Sequence, residues 1–330
     1  MTTALKTQIL PASEATIAAA ARCLAEGGLV AFPTETVYGL GADATNPMAV
    51  ARLYQAKGRP SFNPLIAHVD SLAAAEHLAR FDGRALRLAE AFWPGPLTLV
   101  LPRSPSCPVA DLATAGLETI ALRVPAHPVA RAILHAFGGP VVAPSANLSG
   151  HVSPTLAAHV ASDLDGAIDL IIDGGPVQVG VESTIVGCFE SSVLLRPGGL
   201  PRERIEAVLG CDLMRASNVE SSSGEQPLAP GMLAAHYAPR TPIRLKADHV
   251  GAGEALLAFG PKSVAGVESR TIVMNLSLKG DLAEAAANLF GYLRTLDSKG
   301  AQAIAVMPIP PHGLGEAIND RLQRAALGRS

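Results

Sequence analysis

Four cations stand on three separate stretches of this chain, each within two residues of a proline or a glycine: Lys57 and Arg59 in KGRPSFNP, Arg123 before Val124-Pro125, and Arg196 before Pro197-Gly198-Gly199. Arginine presents a rigid fork of donors and stays charged, so cations held on tight turns suit a phosphate or a carboxylate. Taken singly, each is more simply a solvated surface charge. Their recurrence with Asn63, Ser145, Asn147 and Ser183 at strand ends and loop starts points to one shared anionic ligand. Glu35 and Glu182 add two carboxylates open to three readings: acid–base work, orienting an arginine, or capping a backbone turn. His68, inside apolar PLIAHV, reads from its surroundings as a core histidine.

Patterns that would announce a common enzyme class are absent. There is no G-x-S-x-G elbow, P-loop or H-E-x-x-H. GLGADA at 39–44 satisfies the dinucleotide fingerprint, which needs an apolar strand running into its first glycine and a helix starting inside it. Here the preceding residues are polar or β-branched, and the next helix start is Asn46-Pro47. Cys23, Cys107, Cys188 and Cys211 show neither C-x-x-C pairing nor histidine at ligand spacing, which excludes a zinc-site or disulfide reading.

The elements that must position these residues interleave. A helix capped by Ser13 runs to Gly27-Gly28, and a strand over 29–32 leads into a polar loop whose Gly39 and Gly41 bring the backbone close to a ligand. A helix over 47–56 delivers the KGRPSFNP cluster. Strands follow at 65–69, 97–101, 119–124, 141–143, 170–172, 185–189 and 193–195. Helices are expected at 71–80, 84–92 and 127–137, from Ser153-Pro154, and up to Leu209. The alternation indicates an α/β sheet, mixed in direction because several connections are too short for crossover helices. Serine-rich residues 212–230 have a linker's composition, and a second α/β alternation begins at Thr241.

With 330 residues and 48 % hydrophobic content, the chain can hold two domains. No apolar run reaches the ~18 residues of a membrane span, and the N-terminus lacks a signal peptide's pattern, so a cytoplasmic protein is expected. Residues 1–210 carry 14 bases against 18 acids, which argues against nucleic-acid binding through bulk charge.

In order along the chain, FPTETVYGLGADA, KGRPSFNPL, WPGPLTLVL, Arg123-Val124-Pro125, APSANLSG, ESTIV and LLRPGG resemble the motifs of the YrdC-like family over residues 10–210. PGMLAAHYAP and the α/β segment after it resemble that family's long form. The resemblance implies a twisted mixed sheet with helices around a concave cavity (1–211), a linker and active-site lid (212–240), and a small Rossmann-like α/β domain (241–330). It implies an L-threonylcarbamoyladenylate synthase, which joins L-threonine, bicarbonate or CO2 and ATP, releases pyrophosphate, and serves threonylcarbamoyladenosine modification of tRNA. Thr36, His68, Arg123, Ala143 and Ser183 would then hold threonine. Lys57, Arg59, Asn63, Thr119, Ser145, Asn147, Ser153, Arg196 and the lid residues His236 and Tyr237 would hold ATP. Mg2+ would arrive with ATP, and the product would pass to a tRNA threonylcarbamoyl-transferase complex. The alternative is a non-catalytic module of the same fold that binds RNA or tRNA through the same arginines.

Overall fold

The computed structural model describes residues 6–215, 229 and 237–328. The first part is a mixed sheet of β1 (Gln8–Pro11), β2 (Val30–Pro33), β3 (Tyr38–Asp43), β4 (Ile66–His68), β5 (Leu97–Pro102), β6 (Thr119–Arg123), β7 (Val141–Val142), β8 (Leu170–Asp173), β9 (Thr184–Cys188), β10 (Ser192–Arg196) and β11 (Met214–Arg215). Their order across the sheet is β1-β8-β2-β3-β7-β4-β6-β5-β9-β10-β11. β1, β8 and β2 run parallel, as do β4 with β6, β5 with β9 and β10 with β11, while β3 and β7 pair antiparallel to their neighbours and β10 pairs antiparallel to β9. β2 is buried along its whole length, which is why its sequence shows no apolar–polar alternation.

Two sequence expectations give way here. GLGADA is a strand rather than a ligand-embracing loop, because residues 34–37 turn tightly and Tyr38–Asp43 folds back antiparallel on β2. Its glycines admit neighbouring side chains and strands: a Cβ on Gly41 would come 2.7 Å from the Phe32 ring. Ser153-Pro154 does not start a helix. That helix is Ala157–Leu164, with Leu156 at its cap, and the Ser153 hydroxyl is spent on Glu182 instead. The helix expected over 71–80 shortens to Leu72–Glu76, with Ser71 as its cap. β1, β11 and the helical turn Asp111–Thr114 are additions to the sequence reading. Ser13 and Asn46 cap their helices as expected, and the second helix, Pro47–Lys57, ends on Lys57.

Beyond the partly described stretch, β12 (Ile243–Arg244), β13 (Glu254–Ala258), β14 (Val273–Asn275) and β15 (Ala303–Val306) form a parallel sheet in the order β12-β15-β13-β14. Helices Leu282–Asp297 and Leu314–Ala326 belong to this part. Its core merges with the first part: Val37, Val152 and Val181 pack in one apolar cluster with Tyr237, Leu289, Phe290 and Ile318. The two sheets therefore share a buried seam beside the loops that carry the cations.

Candidate active site

The cleft opens where β3, β4, β6 and β9 end or begin, and Thr36, Arg59, His68, Arg123, Ser183 and Arg196 line it. Register places two of its residues side by side: in the parallel pair β4 and β6, His68 sits opposite Arg123. The loop after β7 is stitched over them by backbone bonds from Ala143 to Ile66 (3.1 Å), from Leu40 to Pro144 (2.7 Å) and from Ala146 to Tyr38 (2.8 Å).

Arg123 is buried yet fully supported. It donates to Glu35 Oε1 (2.6 Å), Thr36 Oγ1 (3.0 Å) and the Gly95 carbonyl (3.2 Å). A guanidinium has five N–H donors. Two therefore remain for a ligand in the cleft that Arg123 lines. The second oxygen of Glu35 accepts from the backbone of Ala126 (2.9 Å) and His127 (3.3 Å). Burial pushes the Glu35 carboxyl up, but Arg123 and these donors outweigh it and hold it below its ordinary value. Of the three sequence readings of Glu35, two are realised: one oxygen orients Arg123 and the other caps the backbone turn at Ala126 and His127. Thr34 spends its proton on the Val37 carbonyl, so Thr36 donates to Thr34 (2.8 Å) while accepting from Arg123.

His68 is buried, and its pKa falls to about 3, first through burial and then through the Arg123 charge beside it. Its Nδ1 lies 3.2 Å from the Ile66 carbonyl, which can only accept, so Nε2 is left as an acceptor. The core-histidine reading is half right: the side chain is buried, and it also lines the cleft. Ser183 shares a hydrogen bond with Thr98 (2.8 Å).

On the other side stand Arg59 and Arg196. Arg59 donates to the carbonyls of Asn63 (3.3 Å) and Pro64 (3.0 Å), and burial lowers its pKa to about 10. Arg196 donates to the Ser183 carbonyl at 2.9 Å, and burial lowers its pKa as well. Both line the cleft together with Ala143, Ser145 and Tyr237. Lys57 does not. Its Nζ lies beneath the loop, 2.5 Å from the carbonyls of Ser145 and Asn147, and acts as a strut. Asn63 and Asn147 are buried with their Oδ1 atoms unpartnered, and neither is among the lining residues. Thr119 opens β6 opposite Pro102, outside the lining set. Ser153 faces Glu182 (2.5 Å). Tyr237 stacks on Phe290 with ring centroids 5.6 Å apart. His236 lies outside the described residues.

One residue the sequence reading missed is Arg321. It sits on the buried face of Leu314–Ala326 with Ile318, Leu322 and Ala325 and is itself fully buried. An arginine on an apolar stripe at three- and four-residue spacing was a visible signal. It donates to Glu182 Oε2 (2.7 Å), so Glu182, like Glu35, orients an arginine. With both carboxylates so engaged, the cleft presents cations and neutral acceptors, which suits a ligand carrying a carboxylate and phosphates. Among the described residues, no three His, Cys, Asp or Glu side chains converge as a metal cage.

Residues 22–198 match the profile of the Sua5, YciO and YrdC family, described as "Telomere recombination", and residues 200–327 match the one described as "Threonylcarbamoyl-AMP synthase, C-terminal domain". The chain belongs to this Sua5/YrdC family. Its relatives include the threonylcarbamoyl-AMP synthase of Bacillus subtilis, 44 % identical over 98 % of this chain and 96 % of that protein. The Pyrococcus abyssi protein of the same name is 44 % identical over 93 % of each. Among solved structures, P. abyssi Sua5 complexed with L-threonine superposes with a TM-score of 0.88 at 41 % identity, covering 97 % of this chain and 98 % of that one. Escherichia coli YciO reaches 0.54 at 25 % identity over 58 % of this chain and 96 % of its own, the extent of the first sheet. The Sua5 members thus have both sheets, and the expected fold of a large mixed sheet plus a small parallel one is the one observed.

Proposed function

We infer that this protein is a threonylcarbamoyl-AMP synthase, using ATP and L-threonine to make the threonylcarbamoyl donor for tRNA modification. The observation that carries the reading is the meeting, in one cleft, of a carboxylate-ready Arg123 with the phosphate-ready Arg59 and Arg196. We place the threonine carboxylate on the two unspent N–H donors of Arg123, and its amine and hydroxyl among Thr36, the neutral His68, Ser183 and the backbone around Ala143. Neutral His68 accepts a hydrogen bond there without adding a competing cation. ATP lies toward Arg59, Ser145, Arg196 and Tyr237, with Asn63, Asn147, Ser153 and the Lys57 strut shaping that wall.

The threonine amine, as the free base, combines with bicarbonate to a carbamate, with loss of water. A carbamate oxygen then bonds to the α-phosphorus of ATP as the bond to the β-phosphate oxygen breaks, giving threonylcarbamoyl-AMP and pyrophosphate. The carbamate is itself the nucleophile, so the protein positions reactants and stabilises charge on the departing pyrophosphate through Arg59 and Arg196. Mg2+ would enter as part of the substrate, held by phosphate oxygens and water, since the carboxylate lining the cleft, Glu182, is spent on Ser153 and Arg321. The product is a mixed anhydride that water destroys, which favours closure by residues 237–239 and rapid transfer to a tRNA threonylcarbamoyl transferase. We place these steps in the cytoplasm, where ATP, threonine and tRNA coexist; among the described residues no helix is long and apolar enough to cross a membrane.

RNA binding by the same arginines draws little support. Arg123 and Arg196 are each 4 % exposed and Lys57 2 %, too buried to touch a duplex backbone, and the half-buried Arg59 is turned onto the Asn63 and Pro64 carbonyls. The test is pyrophosphate release from ATP with bicarbonate, comparing threonine, serine, alanine and no amino acid. Release should depend on threonine and vanish in Arg59→Ala and Arg123→Ala; no release at saturating ATP and magnesium would refute the reading.

A further inference from the structure

Arg321 belongs to the last helix of the second part, yet every group it touches, apart from its neighbour Asp320, leads to the cleft. Nε donates to Glu182 Oε2 at 2.7 Å, one NH2 group donates to the Pro197 carbonyl at 3.0 Å, and the other bonds Asp320. The guanidinium lies over the Tyr237 ring, 5.0 Å from its centroid. Glu182 immediately precedes Ser183, and Pro197 follows Arg196, so one side chain spans two walls of the cleft. The walls are already close: Gly199 N–H donates to the Glu182 carbonyl at 2.8 Å, and a Cβ on Gly198 would fall 2.4 Å from that carbonyl.

Tyr237 is held from three directions. Its ring stacks on Phe290 at 23° between planes, Arg321 covers it, and the next residue, Ala238, donates from its backbone to the Gly150 carbonyl (2.9 Å). The Tyr237 backbone sits at φ +63°, a left-handed conformation costly for a residue with a side chain. Such strain persists only where the surroundings over-determine it, and here they come from both sheets.

We propose that Arg321 is a positioning residue for the nucleotide, fixing Arg196, Ser183 and the Tyr237 strap relative to one another so that the cleft is complete only with the second part docked. This rests on the synthase reading above and deepens it. Arg321 touches no substrate; it acts through the three groups that line the cleft. A bland alternative is that Arg321 merely neutralises Glu182, buried beside it.

Four proteins separate these: the full-length wild type, Arg321→Lys, Arg321→Met, and Glu182→Gln combined with Arg321→Met. Arg321→Met should raise KM for ATP by about tenfold or more, the effect of losing one good positioning contact. It should also release more pyrophosphate than threonylcarbamoyl-AMP formed. Threonine affinity, measured by calorimetry, should move less than ATP affinity, because Arg321 reaches that half only through Ser183, next to Glu182, while Arg123 is anchored by Glu35, Thr36 and Gly95 in the first part. Arg321→Lys keeps the charge but not the fork, and should fall between. The double variant removes both charges, so it should regain the thermal stability lost in Arg321→Met without regaining ATP affinity. Recovery of both, or an Arg321→Met enzyme with wild-type KM and coupling, overturns the proposal. If Arg321→Met does not fold, the lysine and double variants decide. Wild-type turnover tests the synthase reading separately, and calorimetric ATP binding reads the positioning without turnover.

Discussion

Glu35→Gln isolates the value of preorganising Arg123. The carboxylate has two oxygens and uses both, one on Arg123 at 2.6 Å and one on the Ala126 and His127 amides at 2.9 and 3.3 Å. An amide has only one oxygen, so its NH2 must face either the guanidinium or the two backbone N–H groups, donor against donor. The pair is buried, with side chains 4 % and 7 % exposed. Removing one partner of a buried pair costs about 3–5 kcal/mol because the remaining charge is left uncompensated. At roughly 2–4 °C per kcal/mol for a domain of 150–250 residues, the melting temperature should drop by about 6–20 °C. Threonine affinity should fall by about tenfold or more as the guanidinium loses its aim. Glu35 is held below its ordinary pKa of 4.5 in the fold, so its contribution is present above that value and fades as pH falls through the folded value. The melting-temperature gap between wild type and variant should therefore narrow as pH falls below 4.5. Scanning calorimetry at pH 7.5 and in acid, with threonine titrations at pH 7.5, reads all three effects. A drop under about 2 °C with unchanged threonine affinity would refute the argument.

Lys57→Met leaves the Ser145 and Asn147 carbonyls without their buried donor. With the two hydrogen bonds worth ~0.5–1.5 kcal/mol each, kcat/KM for ATP should fall by about 5- to 150-fold, and an unchanged value would show that the loop holds itself. The unfolded chain protonates His68 near pH 6.5, whereas the folded site resists until about 3, so His68 subtracts stability as pH falls across that window. His68→Gln should accordingly lose less stability than wild type between pH 7 and 4.5 in urea titrations; parallel losses would mean that His68 protonates freely in the fold.

Local chemistry was readable along the chain wherever a rule acts within a few residues. Ser13 and Asn46 cap helices because their side chains reach N–H groups two or three positions on. The strands carrying His68, Arg123 and Arg196 followed from short apolar runs with a proline at one end. The GLGADA stretch was misread because glycine-rich sequence is equally compatible with a loop and with a strand wedged between Phe32 and Val141, and only the neighbours distinguish them. Ser153-Pro154 carried a helix-start pattern, but a buried Glu182 29 residues away claimed the hydroxyl.

Sequence by itself determined which residue types were available: cations on turns, two glutamates without a stated role, a histidine in an apolar strand, and a set of ordered motifs specific enough to indicate a family. Tertiary structure alone decided what each charge does. Whether Glu35 and Glu182 act as bases or brace arginines depends on partners 88 and 139 residues away, at Arg123 and Arg321. Whether Lys57 meets a ligand or a carbonyl depends on where the loop after β7 crosses it. A buried charge takes its state from the nearest few ångströms, and in this chain those ångströms are supplied by segments far away in sequence.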